Sequence, residues 1–264
     1  MSAPYDILIP AAPKDRNKLK YLIPSIERNI SGFSNIYITV PDKNLFSGYI
    51  PDSRYPIHLL NDREILDIDT SRFPYRPNWI YQQYLKMFQN VTQNDLFLTV
   101  DSDVIINRRM PMFETDGRRI FWMGWEQDHR PYFEFQEKVF DLPRVYPHTF
   151  INDMNFMDKL IIRELLDRYG FTVESFIEKS IEIITKDCFP GEPEIYGQYV
   201  HKFHPGLYSF RETNSVSIGR FASSFEDIVW TDSDIQSEIA SKAMTDYHLF
   251  TLHTWFNMKG AKDP

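Results

Sequence analysis

Residues 96–105 read Leu96-Phe97-Leu98-Thr99-Val100-Asp101-Ser102-Asp103-Val104-Ile105, an apolar run closed by two aspartates one residue apart. A strand apolar on both faces belongs inside a parallel sheet covered by helices, and in open α/β sheets ligands gather beyond the carboxyl ends of the strands. Asp101 emerges at that edge. Two hard carboxylates so spaced can hold Mg2+ or Mn2+, directly or through water, and leave coordination positions open for nucleotide phosphates. The competing reading is turn chemistry, because Asp and Ser side chains bond to nearby backbone.

Working outward, residues 6–10 read as a short buried strand, and Leu19, Leu22, Ile23, Ile26 and Ile30 follow at helical spacing. Residues 35–40 and 57–60 read as strands, and residues 79–89 as a helix whose Ile80, Tyr84, Met87 and Phe88 share a face. The resulting β-α-β-β-α-β order predicts an α/β protein with a mixed, mainly parallel, Rossmann-like sheet flanked by helices. No glycine-rich phosphate loop occurs, so a metal ion would have to cradle phosphates instead. Beyond Asp103, residues 119–125 suggest a strand, while 127–148, rich in Pro, aromatic and charged residues, read as loop and edge strand. Residues 158–169 form an amphipathic pattern ended by Gly170, and 173–185 form another. Residues 191–199 read as a turn entering a short helix, 234–243 as a helix, and 247–253 as an apolar strand ending in His253. With no internal repeat, low-complexity tract or linker, one domain over residues 1–264 is expected.

A net charge of -8 argues against nucleic acid or a polybasic membrane attachment, both of which call for positive charge. An anionic substrate would need local positive charge. Cys188 is the sole cysteine, which excludes an intrachain disulfide and suits a reducing cytoplasm. No apolar run is long enough to span a bilayer, and the first residues lack the pattern of a secretion signal, so a soluble cytoplasmic protein is expected. Aromatic residues make up 16% of the chain, enough for a core and for stacking surfaces as well.

With the strand order, Asp101-Ser102-Asp103 and the late strand ending in His253 in view, the chain resembles the GT-A class of nucleotide-sugar glycosyltransferases over most of its length. A closer resemblance is to a poorly characterised group of small bacterial and viral GT-A-like proteins that carry Trp-X-X-Gln-Gln-X-X-Lys and Glu-X-Glu-X-Tyr-Gly segments. Here these are Trp79, Gln82, Gln83 and Lys86, and Glu192, Glu194, Tyr196 and Gly197. The resemblance implies a nucleotide-sugar-binding half, 1–106, and an acceptor-binding half, 107–264. It also implies transfer of a hexose or pentose from a UDP, GDP or TDP sugar to a carbohydrate acceptor, as in glycan biosynthesis, with Mn2+ or Mg2+ neutralising charge on the leaving diphosphate. Asp103 would be a direct metal ligand. Asp101 would bind metal or ribose, Ser102 would add backbone or hydroxyl contacts, and His253 is the third-ligand candidate beside a structural alternative. His248, an odd separation away, would fall on the other strand face.

The loop Pro10, Ala11, Ala12, Lys14 at the carboxyl edge of the first strand has small residues that let a nucleotide base approach, and Asp62 after the third strand can bond base or ribose. Gln83 and Lys86 lie three apart on one helical face, so both can reach the donor, with Lys86 supplying positive charge. Inverting transfer needs a carboxylate base, for which Glu194 is preferred to Glu192, with Asp153 in reserve. Trp125, Tyr132 and Phe133 are candidates for an acceptor-stacking platform. The alternatives are a sugar nucleotidyltransferase, which usually has a glycine-rich basic first loop, and a non-catalytic carbohydrate-binding protein of the same fold.

Overall fold

The computed structural model describes residues 3–124, 129–146, 149–222 and 227–256, with side chains to Thr254. Its centre is a five-stranded sheet in the order β3-β2-β1-β4-β7, built from β1 (Tyr5–Pro10), β2 (Phe33–Val40), β3 (Ile57–Asn61), β4 (Leu96–Val100) and β7 (Met154–Asp158). The first four run parallel and β7 is antiparallel to β4. Every residue of β1, β4 and β7 is buried, as expected for strands with cover on both faces. The one charge in β1, Asp6, accepts bonds from the Asn35 side-chain amide and the Asn94 backbone N–H, each at 2.8 Å, so its burial is compensated. Connections are made by α1 (Leu19–Asn29) after β1, and by α2 (Asp62–Ile65) and α3 (Pro77–Phe88) between β3 and β4.

The second half does not widen this sheet beyond β7. Among the described residues it forms two smaller sheets, β5-β10-β9 from β5 (Val104–Ile106), β9 (Ser215–Ala222) and β10 (Leu249–Phe256), and β6-β8 from β6 (Arg119–Met123) and β8 (Tyr208–Glu212). The chain is therefore α/β with mixed sheets flanked by helices, mainly parallel in its pairings. No described helix is long and apolar enough to cross a membrane.

Two stretches differ from the sequence reading. Within 127–148, read as loop and edge strand, residues Arg130–Phe140 form a helix, α4. Pro131 stands at its start, where a missing N–H costs nothing, and the buried Tyr132, Phe135, Gln136 and Phe140 follow helical spacing. The aromatic density concealed this periodicity. Strand β7 (Met154–Asp158) lies where the sequence reading assigns no strand, and it is recognisable only by its pairing with β4. Strands β8 and β9 have no alternation strong enough to be read from sequence. Three further helices, α5 (Lys159–Arg168), α6 (Val173–Ile183) and α8 (Asp232–Lys242), fall where helices are expected, and α7 (Glu192–Phe203) runs longer than the short helix read at 191–199.

Candidate functional site

The tripeptide Asp101-Ser102-Asp103 is the hinge at which the chain leaves the central sheet and enters the second. β4 ends at Val100 and β5 begins at Val104. Backbone bonds hold the hinge from both sides, since Asp101 N–H donates to the Asp153 carbonyl at 2.8 Å and Leu252 N–H donates to the Asp103 carbonyl at 2.8 Å. β7, the hinge and β10 thus meet at the carboxyl edge of β1 and β4.

The side chains there form three linked groups. Lys86, from α3, is 5% exposed and lies between the carboxylates of Asp101 at 2.6 Å and Glu192 at 3.1 Å. Burial works against its ammonium, but Asp101 and then Glu192 outweigh it, and its pKa is raised. In the second group Asp103 meets His253 Nδ1 at 3.2 Å. Burial alone would raise the Asp103 carboxyl; the His253 bond and the charges of Lys18 and Lys14 hold it well below the carboxylate range. Burial likewise lowers His253, yet the Asp103 bond and the nearby carboxylates leave its pKa raised. In the third group the carboxylate of Asp15 accepts from Lys14 at 2.7 Å, Lys18 at 2.6 Å and Ser102 Oγ at 3.4 Å. Lys18, wholly buried, also donates to the Leu252 carbonyl at 2.5 Å and to Thr254 Oγ1 at 3.2 Å, so it clasps the β10 segment that carries His253.

Asp153 and Glu192 complete the site. Thr251 Oγ1 donates to Asp153 at 2.6 Å. Burial, with Asp101 nearby, pushes Asp153 up to about 6 against that bond. Burial pushes Glu192 up to about 7; Lys86 opposes the rise and Asp101 adds to it. Both carboxyls can therefore exchange protons near neutrality.

The sequence-derived candidates divide accordingly. Asp101, Ser102, Asp103, Asp153, Lys14, Lys86, Glu192 and His253 meet at one place. Gln83 is buried one helical turn before Lys86 on α3, and Pro10 and Ala11 are buried beside the site at the end of β1, with Ala12 half-buried. Asp62 stands apart at the end of β3, three strands along the edge, roughly 14 Å away by the usual strand spacing. Burial pushes its carboxyl up to about 7 against the pull of Thr39 and Arg63. Glu194 is turned elsewhere: its carboxylate accepts from Thr149 Oγ1 at 3.2 Å, Phe150 N–H at 2.9 Å and Gln198 Nε2 at 2.7 Å. Two residues along a helix is about 200° around it, so Glu192 and Glu194 face different neighbours. His248 also lies elsewhere, accepting at Nδ1 from Asn214 N–H at 3.0 Å. Of the stacking candidates, Trp125 lies outside the described residues. Tyr132 has Trp79 stacked at 6.0 Å and His129 stacked at 4.8 Å, and Phe133 carries the Arg144 guanidinium at 4.4 Å, so these rings are already covered. The residues that the sequence reading missed are Asp15, Lys18 and Thr251. The three-residue spacing of Asp15 and Lys18 was the only local signal for that pair, and Thr251 had none.

The Glu-X-Glu-X-Tyr-Gly segment now has a physical account. Glu192 pairs with Lys86, Glu194 anchors the 149–150 loop, Tyr196 shares a 2.6 Å hydroxyl bond with Tyr208, and Gly197 lies against Phe150. A Cβ on Gly197 would sit 2.1 Å from Phe150 Cγ. Gly197→Ala is thus expected to cost at least about 3 kcal/mol, the upper end for overpacking, read as a lowered urea midpoint. A midpoint unchanged from wild type would refute this packing.

Among the described residues no group of three or more His, Cys, Asp or Glu side chains is gathered as a metal site. The donor set nevertheless suits Mn2+ or Mg2+ held by one or two protein ligands, because Asp103 and His253 are adjacent hard and borderline donors with Asp101 and Asp153 close by.

Fold and site together define an α/β protein with a charged cluster of carboxylates, lysines and a histidine at the carboxyl edge of its central sheet. The chain belongs to the family of unknown function DUF6492, whose profile matches residues 7–168, from β1 through α5. The matched span includes Lys14, Lys18, Lys86, Asp101, Asp103 and Asp153; Glu192 and His253 lie beyond it. No curated protein matches the chain.

Proposed function

We propose that this protein is a metal-dependent GT-A-like glycosyltransferase that moves a sugar from a nucleoside-diphosphate donor to a carbohydrate acceptor with inversion. The observation that carries this reading is the convergence of Asp101, Asp103, Asp153, Lys86, Glu192 and His253 at the carboxyl edge of β4, where open α/β sheets bind nucleotides. Asp103 and His253 would hold Mn2+ or Mg2+, which when bound supplies Lewis-acid neutralisation of the leaving diphosphate. Lys14 and Lys86 offset part of the negative charge of the cluster, Lys14 beside Asp15 and Lys86 between Asp101 and Glu192. Asp101 is held by Lys86 in position for metal or ribose, while the loop of Pro10, Ala11 and Ala12 and the more distant Asp62 lie along the edge that would receive the nucleoside.

For the proton-accepting step the geometry favours Glu192 over Glu194. Glu194 already accepts three hydrogen bonds, whereas Glu192 sits beside the cluster with a carboxyl pushed up to about 7, a value suited to a general base at neutral pH. Asp153 remains the reserve base. Glu192→Gln is expected to preserve nucleotide affinity within about twofold and to lower transfer by about 100-fold or more, the usual contribution of a positioned acid or base. Glu194→Gln is expected to act mainly on stability, through the 149–150 loop. A Glu192→Gln enzyme with full turnover would move the base elsewhere.

The reading as a whole is tested by calorimetry with UDP, GDP and TDP sugars, with and without manganese. Manganese-dependent binding followed by sugar transfer supports it. Binding with release of pyrophosphate from a nucleoside triphosphate would instead indicate a sugar nucleotidyltransferase, and saccharide binding without nucleotide a non-catalytic lectin-like role.

A further inference from the structure

Arg76 stands out among the cations near the site. Lys14, Lys18 and Lys86 each have a carboxylate partner, whereas among the described residues the Arg76 side chain makes no ion pair or hydrogen bond and its guanidinium lies over the face of Trp79, 4.6 Å from the ring centroid. It is half-buried, and its backbone is left-handed, at φ 43 and ψ 54, immediately before Pro77. A bulky residue is disfavoured there, and one preceding proline more so, so the surrounding packing must impose this conformation. Strain of this kind concentrates where a side chain has to be aimed.

Its direction is set by its contact with Trp79 in the first turn of α3. Residues 79, 83 and 86 follow the helical repeat, so Trp79, Gln83 and Lys86 line one face, and Arg76, at the N-cap, rests on the Trp79 end of it, about 15 Å from Lys86 along the axis. Lys86 marks the end beside Asp101 and Glu192; Arg76 marks the opposite end. The Trp79 ring on which Arg76 rests stacks on Tyr132, which also packs within 3.0 Å of a Cβ position on Gly191, next to Glu192. The phenol of Tyr132, raised mainly by burial, also feels Arg76, Glu192 and Lys86, so all three charges border one neighbourhood.

We propose that Arg76 is a specificity-determining residue that binds a carboxylate or phosphate group on the saccharide acceptor. This rests on the glycosyltransferase reading above, with the donor diphosphate beside Asp103 and Lys86. An anionic acceptor entering near Asp101, Asp103, Asp153 and Glu192 would be repelled unless a cation held its far end, and a guanidinium with its fork unpaired suits a two-oxygen anion. The separation along α3 assigns that anion to the acceptor rather than to the donor phosphates.

The test is saturation-transfer NMR of wild-type protein, Arg76→Gln and Arg76→Lys with methyl glucuronide, glucose 6-phosphate and neutral methyl glucoside, beside titrations of each in manganese with UDP, GDP and TDP. The expected result is at least about fivefold tighter binding of the two charged saccharides than of the glucoside by wild type. That preference should be lost in Arg76→Gln and reduced in Arg76→Lys, with UDP affinity unchanged within twofold. A wild type without preference, or a preference that survives Arg76→Gln, overturns the proposal. Loss of UDP affinity in Arg76→Gln overturns it too, by assigning the anion to the donor. Absence of manganese-dependent binding of UDP, GDP and TDP alike in wild type would defeat the glycosyltransferase reading instead, and the saccharide titrations would still decide whether Arg76 selects anions.

Discussion

Replacing Asp103 with alanine is expected to abolish the manganese dependence of nucleotide binding, lowering affinity for the preferred nucleoside diphosphate in manganese by at least about 100-fold. A metal that neutralises phosphate charge is worth several kcal/mol, and each 1.4 kcal/mol is a factor of ten. The carboxylate also serves the fold, through His253 and the charges of Lys18 and Lys14, so the stability of the variant is read separately from its metal response. The Asp103 side chain meets His253 at 3.2 Å, while the backbone carbonyl that receives Leu252 N–H is retained. Lys14 and Lys18 keep Asp15 as their partner. Calorimetry in manganese and in EDTA reads the effect, with thermal unfolding of the free protein as the control for folding. Undiminished manganese stimulation in the variant would sink the assignment of Asp103 as a ligand.

Replacing Lys86 with methionine is expected to destabilise the protein by about 3 kcal/mol at pH 8, because it leaves the buried Glu192 carboxylate unpaired beside the half-buried Asp101 carboxylate. The loss should shrink toward pH 5. Glu192, raised by burial to about 7 even beside Lys86, holds its proton in the folded state over a range where the unfolded chain, titrating near 4.5, has lost it. The folded state then binds more protons than the unfolded one, so stability falls as pH rises through that window. Without the lysine the window extends upward. The wild-type protein should show a weaker form of the same slope, from Glu192 and from Asp153, which burial raises from 3.8 to about 6. Urea unfolding between pH 5 and 8 measures all of this, and the double variant Lys86→Met, Glu192→Gln should recover part of the loss. A loss in the single variant below 1 kcal/mol and independent of pH would show that the three groups are not coupled.

How legible these features were depends on how local their causes are. The buried strands β1, β2 and β4 are written as apolar runs, and α1, α3 and α5 as amphipathic spacing, because burial of one face imposes its period on the residues that make it. The carboxylates at the end of β4 were legible for the same reason: a strand apolar on both faces predicts where its end emerges. Helix α4 was hidden by aromatic and charged residues whose helical period is real but dense, and β7 by the polar Asn152 and Asp153 before it and Asn155 within it, a segment that is strand from Met154 only because β4 supplies the ladder.

The partners of the charged residues were not legible. Glu192 and Glu194 are chemically alike and two apart in sequence, and only the packing of α7 on Phe150 through Gly197 decides that one meets Lys86 and the other the 149–150 loop. Lys18 and Asp15 look like ordinary surface residues until β10 returns to bury them.

The sequence by itself determined the α/β layering and the position of Asp101 and Asp103 at the sheet edge, since periodicity and strand ends are properties of neighbouring residues. Only the tertiary structure decided which ion pairs form, that the hinge joins two sheets rather than ending one, and which acidic groups titrate near neutrality. Those depend on desolvation and on contacts between residues far apart in the chain, such as Lys18 with Leu252 and Asp103 with His253, which no local pattern encodes.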